Sequence, residues 1–192
     1  MSTFLESLRE RVLVFDGAAG TNLQTRDLGP DDFGGAALEG CNEILVATRP
    51  DVISDLHESF LAVGVDAVET DTFGAFPNVL AEYAIPERAH ELNVTAARLA
   101  REVASGYSTP DQPRFVIGSV GPGTKMPSLG AIGFEELRSG YEVQVDGLIE
   151  GGVDVILIET VYDLLQAKTA MIAARRAMAR ADSARSSPLT VG

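Results

Sequence analysis

The sequence predicts an α/β fold with a parallel β-sheet. Short apolar runs rich in β-branched residues alternate along the chain with segments whose apolar residues recur every three or four positions. Parallel strands joined by crossover helices produce this order. The runs are almost continuously apolar, as expected of strands that helices cover on both faces. Acidic or glycine-rich residues follow four of the runs, which indicates where a ligand would bind.

Five strands are predicted from these runs. They are Arg11–Phe15, Asp66–Glu69, Phe115–Ser119, Asp154–Glu159 and Leu189–Gly192. Apolar residues at helical spacing predict four helices between them, within residues 53–63, 89–103, 134–148 and 164–178. Pro50 and Pro86 stand where first-turn prolines belong. The polar stretches 105–112 and 181–188 are predicted to link helices to strands.

Composition excludes several classes of partner. The 192 residues carry a formal net charge of −13, which would repel nucleic acid and anionic membrane surfaces. No apolar run approaches the length of a membrane span, and charged residues from Glu6 to Arg11 interrupt the stretch that a signal peptide would need. We therefore expect a cytoplasmic protein that acts on small molecules, in which the single Cys41 remains a thiol.

A weak internal repeat joins two of the predicted helix-to-strand junctions. GVDAVET, from Gly64, and GVDVILIET, from Gly152, each close a helix and enter a strand that ends in Glu-Thr. The second copy is two residues longer, which preserves the alternation of side chains along a strand. Glu69 and Glu159 are therefore predicted to point to the same side of the sheet.

The ends of the first four strands are predicted to form one site. They read DGAAGT from Asp16, ETDTFG from Glu69, GSVGPGTK from Gly118 and ETVYD from Glu159, and in parallel α/β folds these ends share the ligand-binding face. Their carboxylates suit a cationic group, whereas the free amides of Gly17–Gly20 suit a carboxylate. Together they favour an amino acid as the ligand.

Three of the acidic residues also have purely structural interpretations. Asp16 and Glu159 can cap the segments that follow them, and Glu69 can form an ion pair with a neighbouring loop. The GPGTK segment from Gly121 lacks the spacing of a phosphate-binding P-loop and is expected to be a mobile loop that covers the site.

The residues that most often bind zinc are expected to be structural here. His57 and His90 fall within predicted helices, far from the strand ends, and with Cys41 they show no zinc-ligand spacing.

The four strand-end motifs resemble those of the homocysteine S-methyltransferase family, in order and over essentially the whole chain. DGAAGT is similar to the family's DGAxGT, ETDTFG to ETNTF, GSVGPG to G-S-x-G-P and LIETVYD to L-I-E-T-x-x-D. Within the family, residues 42–53 (NEILVATRPDVI) resemble the cobalamin-dependent methionine synthases. The LWSA stretch of relatives that use S-methylmethionine has no equivalent here.

The resemblance implies a (β/α)₈ TIM barrel, of which residues 1–192 form an incomplete N-terminal part of about five βα units that ends in the fifth strand. It implies a substrate-binding set for homocysteine, which in this sequence is Asp16, Gly17, Ala18, Ala19, Glu69, Asp71, Thr72 and Glu159. Asp16 and Glu159 are expected to hold its amino group, and the amides of Gly17–Ala19 its carboxylate. Asp71 departs from the family's Asn, which adds a charge near the substrate.

The resemblance also implies cofactors that this chain does not hold. In the family, three cysteine thiolates on later strands bind zinc, which lowers the pKa of the homocysteine thiol. We therefore expect no metal ligand and no catalytic residue in residues 1–192, and no activity from this chain alone. In a complete methionine synthase, other domains handle methylcobalamin and methyltetrahydrofolate.

Unpaired edges of an incomplete barrel favour self-association.

Two other functions remain open. One is a homocysteine methyltransferase that uses betaine or S-methylmethionine and has no cobalamin domain. The other is a non-catalytic fragment that only binds or assembles. A complete reading frame distinguishes the first, because only a methionine synthase continues into folate and cobalamin domains.

Overall fold

The strands form one parallel sheet. The computed structural model describes residues 3–184 and 190–191. Within them the strands are β1 (Ala67–Glu69), β2 (Phe115–Val120), β3 (Val155–Ile158) and β4 (Thr190–Val191), hydrogen-bonded in the order β1-β2-β3-β4. The order along the sheet is the order along the chain, as helical crossovers between neighbouring parallel strands produce. The predicted α/β class and parallel sheet are confirmed.

Helices precede and connect the strands. They are α1 (Phe4–Glu10), α2 (Ala19–Gln24), α3 (Leu45–Thr48), α4 (Pro50–Ala62), α5 (Pro77–Leu80), α6 (Ala89–Tyr107), α7 (Phe134–Gly151) and α8 (Leu164–Ala184). The four predicted helices correspond to α4, α6, α7 and α8, each longer than its periodic segment. No helix of the described residues is long and apolar enough to span a membrane.

Several boundaries differ from those predicted. α6 and α8 extend into both polar linkers, and residues 185–188 of the second linker lie outside the described residues, as do Leu189 and Gly192 of the fifth strand. Pro50 begins α4, whereas Pro86 begins a short 3₁₀ helix that leads into α6. Helix α1 is not anticipated by the sequence reasoning, although Thr3 and Glu6 form a capping box at its start.

The predicted first strand, Arg11–Phe15, is wrong in extent. In the described part of the chain, Phe15 is the one residue of this segment that bridges a strand, at Ala67. The carboxylate of Asp66 accepts the N–H of Val14 at 2.8 Å, so this donor is not available for a backbone ladder. The segment is therefore extended but pairs at a single residue.

The internal repeat places an aspartate in the same role twice. The Asp154 carboxylate accepts the N–H of Val116 at 2.7 Å, just as Asp66 accepts the N–H of Val14. Each aspartate is also paired with an arginine, Asp66 with Arg11 and Asp154 with Arg101. In both copies, the aspartate just before a strand accepts a hydrogen bond from a backbone N–H of the extended segment that precedes it in the chain.

The two faces of the sheet have different coverings. On one face, Val68, Val116 and Ile156 pack against α6, α7 and α8 in the main core, which includes Tyr141 and Leu148. On the other face, Phe4 of α1 packs edge-on against Phe115, with ring centroids 5.4 Å apart. α1 therefore covers the amino-terminal end of that face and leaves the carboxyl-terminal end to the site.

Candidate functional site

A cavity of about 320 Å³ opens where the strands end. Its size is that of pockets that bind small molecules. It brings together seven of the eight predicted site residues, namely Asp16, Gly17, Ala18, Ala19, Glu69, Asp71 and Glu159. The convergence expected from the strand-end motifs is thus present in the structure, while the binding role of each residue stays a prediction.

Three carboxyl groups face one another in this cavity. Glu69 and Glu159 both line it, and Ser119 donates its hydroxyl to Glu159 Oε1 at 2.6 Å. Their place in one lining confirms that Glu69 and Glu159 lie on the same side of the sheet. Asp16 accepts the N–H of Glu69 at 3.1 Å, in place of a further ladder bond.

Glu69 and Asp16 hold protons near neutral pH. Burial, together with the charges of Glu159 and Asp16, raises the pKa of Glu69 to about 8. Burial likewise raises the pKa of Asp16 to about 7. Neighbouring carboxylates repel one another when ionised. A cation that binds in the cavity would therefore stabilise their ionised forms.

Capping does not explain Asp16 or Glu159. Ala18 occupies the N-cap position of α2 and no side chain caps that helix. At α8, the carboxylate of Asp163 accepts the N–H groups of Leu165 and Gln166. The polar atoms of Asp16 and Glu159 are thus directed to the cavity cluster and not to helix ends.

Backbone donors lie beside this acidic cluster. The N–H groups of Gly17 and Ala18 donate no hydrogen bond within the described part of the chain, and both residues line the cavity. An anionic group can therefore bind to main-chain amides next to carboxylates that bind a cation. This pair of adjacent subsites matches the charge pattern of an amino-acid zwitterion.

Two residues of the second motif lie in different places. Asp71 lines the cavity, its Oδ2 has no hydrogen-bond partner among the described residues, and burial raises its pKa well above the usual range. Thr72 is not part of the lining. Its hydroxyl donates to the carbonyl of Ser119 at 2.8 Å, and its own carbonyl accepts from Gln144 at 2.6 Å. The structure thus gives Thr72 contacts that hold the loop to β2 and α7.

The chain is similar to known proteins in sequence and in fold. The family described as Homocysteine S-methyltransferase matches residues 13–190. The chain belongs to this family. Its curated relatives include Methionine synthase of Mycobacterium tuberculosis (strain ATCC 25618 / H37Rv), 49% identical over 177 residues, and Methionine synthase of Mycobacterium leprae (strain TN), 47% identical over 177 residues. Each match covers 92% of this chain but only 15% and 14% of the two relatives, so the chain spans about a seventh of their length.

Solved structures share the fold. The homocysteine methyltransferase MmuM from Escherichia coli aligns in its metallated form with a TM-score of 0.70 at 21% identity, over 90% of this chain and 63% of that one. Its oxidised form aligns with the same TM-score over 88% of this chain and 61% of that one.

Part of the cavity wall comes from residues outside the predicted motifs. Asn42 and Glu43 line it, and Glu43 Oε1 accepts the N–H of Gly74 at 2.7 Å. The expectation that His57 lies far from the strand ends is wrong, because His57 also lines the cavity. The helical spacing could have indicated this. His57 is four residues after the buried Ile53 and three before the partly buried Phe60, and residues three and four apart share a helix face.

The described residues do not fit a zinc site. Cys41 is buried, its Sγ lies 3.8 Å from Glu43 Oε2, and burial raises the pKa of its thiol to about 12. Zinc binds the thiolate, which this environment disfavours. Within residues 3–184 and 190–191, no three His, Cys, Asp or Glu side chains are arranged to hold a metal ion.

The GPGTK segment does not cover the cavity. Tyr141 donates its hydroxyl to the carbonyls of Gly121 and Pro122, at 3.1 and 3.3 Å, and Gln166 donates to the carbonyl of Pro122. No residue of the segment lines the cavity. The expectation of a covering loop is therefore wrong, because α7 and α8 hold the segment away from the site.

Proposed function

We propose that this chain is the homocysteine-binding module of a methionine synthase, which in the complete protein transfers a methyl group to the homocysteine thiolate to give methionine. The single observation that carries the proposal is the cavity in which carboxylates and unpaired backbone amides stand side by side. Membership of the family and the identity to two methionine synthases support it.

In this proposal the substrate binds through both of its charged groups. Its ammonium group pairs with Asp16 and Glu159, with Glu69 beside them, and its carboxylate accepts from the amides of Gly17–Ala19. Asp71 contributes a polar group to the same wall. A bound ammonium group favours the ionised carboxyls, so it displaces protons that Asp16 and Glu69 hold in the free protein.

We place the remaining chemistry in other parts of the complete protein. The sheet continues there into a (β/α)₈ barrel, for which the shared fold with the Escherichia coli methyltransferase is the support. Zinc, which would activate the thiol, is held by cysteines beyond residue 192, since the described residues do not fit it. Methylcobalamin and methyltetrahydrofolate bind to other domains, in a cytoplasmic enzyme. This chain alone binds and orients substrate without catalysis.

Calorimetric titration tests the proposal. Homocysteine is titrated into this chain and into a version extended through the eighth strand, each with and without zinc. We expect binding by the extended version that zinc strengthens, and weaker, zinc-independent binding by this chain. Absence of binding by both proteins would overturn the proposal.

A methyltransferase that uses betaine or S-methylmethionine is the second candidate. The methionine synthase relatives favour the first, while the fold is shared with an enzyme named only as a homocysteine methyltransferase. Assaying the complete protein with methylcobalamin, betaine and S-methylmethionine as separate donors distinguishes them. A parallel assay of this chain alone tests its expected inactivity.

A further inference from the structure

One side chain in the cavity wall has polar atoms that nothing in the described structure satisfies. His57 is 1% exposed, lines the cavity, and has no hydrogen-bond partner at Nδ1 or Nε2 among the described residues. Buried ring nitrogens are normally paired, because an unpaired one loses its bond to water without replacement. An unpaired imidazole beside a ligand-sized cavity points to a partner that arrives with the ligand.

Helix α4 brings His57 into the same cavity lining as the unpaired backbone amides. Phe60 follows His57 by three residues on the same helix face, and its ring lies against the start of the glycine turn. A Cβ atom added at Gly17 would be 3.7 Å from that ring. Helix α4 therefore contacts the glycine turn one turn beyond His57, and His57, Gly17 and Ala18 all line the cavity.

Apart from His57, the cavity lining has no basic side chain. The other titratable groups of the lining are all acidic, namely Asp16, Glu43, Glu69, Asp71 and Glu159, and the lining holds no Lys or Arg. The hydroxyl of Ser119 already donates to Glu159. Burial lowers the pKa of His57 to about 4, so the ring is neutral at pH 7 and offers one N–H donor.

We propose that the His57 imidazole binds the carboxylate of the amino-acid substrate, by donating a ring N–H beside the amides of Gly17 and Ala18. It thereby favours α-amino acids over amines that lack a carboxylate. This role rests on the proposed function and adds a specificity-determining side chain to it. The ring nitrogens are covered in the ligand-free protein, so the ring turns toward the cavity as the ligand enters.

A comparison of two ligands and three variants tests this role. The ligands are homocysteine and its decarboxylated analogue, which keeps the amine and the thiol. The variants are His57→Phe, which removes the nitrogens, His57→Gln, which restores an N–H donor, and His90→Phe. His90 is the matched control, because it is the other histidine and its half-exposed side chain lies on α6 near Glu150, away from the cavity.

We expect His57→Phe to weaken homocysteine binding about 10- to 100-fold, the loss expected for one hydrogen bond to a charged group. Binding of the decarboxylated analogue should change little. His57→Gln should recover part of the affinity, and His90→Phe should match the unaltered chain. In NMR spectra, homocysteine but not the analogue should shift the ring-nitrogen signals of His57.

The outcomes separate this inference from the function on which it rests. If neither the unaltered chain nor its version extended through the eighth strand binds homocysteine, both are overturned. If only the extended version binds, the variants are compared in that version. If His57→Phe binds homocysteine as tightly as the unaltered protein, only the role of His57 is overturned. If circular dichroism shows that His57→Phe is unfolded, the test rests on the ring-nitrogen signals of the unaltered chain and on His57→Gln. Signals that homocysteine does not shift would overturn the role of His57.

Discussion

Glu69 keeps its proton to about pH 8 because it is partly buried and because Glu159 and Asp16 stand next to it. An arrangement of this kind is unfavourable for the folded state whenever the carboxyls ionise. It is favourable for a ligand whose ammonium group neutralises them. The same residue thus weakens the free protein at neutral pH and strengthens the complex, which is a common compromise at functional sites.

Replacement of Glu69 by glutamine should separate these two effects. The folded-state pKa of Glu69 is raised, so the stability linked to its proton is fully present below about pH 4.5 and is lost as pH rises towards about 8. Glu69→Gln should therefore raise the melting temperature by a few degrees near pH 8 and change it little near pH 5. It should also weaken homocysteine binding.

Thermal unfolding followed by circular dichroism at several pH values measures the effect. Glu102→Gln is the control, because Glu102 is an exposed glutamate of α6. An equal melting temperature shift for Glu69→Gln at both pH values would contradict the linkage.

Ligand binding should release protons at neutral pH. Burial raises the pKa of Asp16 to about 7 and that of Glu69 to about 8, and a bound ammonium group lowers both. Affinity for homocysteine should therefore increase between about pH 6 and about pH 8. Calorimetry in buffers of different ionisation enthalpy counts the released protons, and Asp16→Asn should release fewer. An affinity that does not vary over this range would refute the carboxyl assignment.

At the scale of elements, α6 and α7 approach closely at glycines. A Cβ atom at Gly147 would lie 2.7 Å from the carbonyl oxygen of His90 and 2.8 Å from the Cβ of Asn93. One of these neighbours is backbone and cannot move away without displacing α6. The close contact of the two helices sets the position of the strands that follow them.

Gly147→Ala should lower the free energy of unfolding by about 1–3 kcal/mol, the usual cost of overpacking. Gly106→Ala is the matched control, because Gly106 lies in α6 with no atom within 4 Å of an added Cβ. There alanine should stabilise the chain by about 0.5–1 kcal/mol through helix propensity. Urea denaturation measures both, and stabilisation by Gly147→Ala would show that the helices can separate without cost.

At the scale of the whole molecule, the sheet has an edge that carries exposed apolar residues. Val12 is 83% and Val14 is 55% exposed, and the segment that holds them pairs with a strand only through the bridge between Phe15 and Ala67. Extended segments with exposed apolar residues are sites of pairing between chains.

The isolated chain should therefore self-associate, and Val12→Lys should shift it towards monomer, because a charge at an edge opposes pairing. Val63→Lys is the control, since Val63 is 80% exposed at the end of α4 and is not part of the edge segment. Sedimentation velocity distinguishes the species. A monodisperse monomer of the unaltered chain would contradict the prediction.

The sequence alone determined the α/β class, the four long helices and the meeting of Asp16, Glu69 and Glu159 at one end of the sheet. These features follow from hydrophobic periodicity and from the two-residue alternation of strands, which are local properties of the chain. The strand-end motifs also sufficed for the family, since they stand in the family's order.

Only the tertiary structure decided which polar groups find partners. The N–H of Val14 donates to the carboxylate of Asp66, 52 positions away, and not to a strand backbone. The predicted first strand is therefore reduced to a single bridge at Phe15. Thr72 is engaged by Ser119 and leaves the cavity wall, whereas His57 lines that wall with its nitrogens unpaired. Each outcome depends on atoms that are distant in sequence and close in space. Local sequence patterns do not predict such contacts.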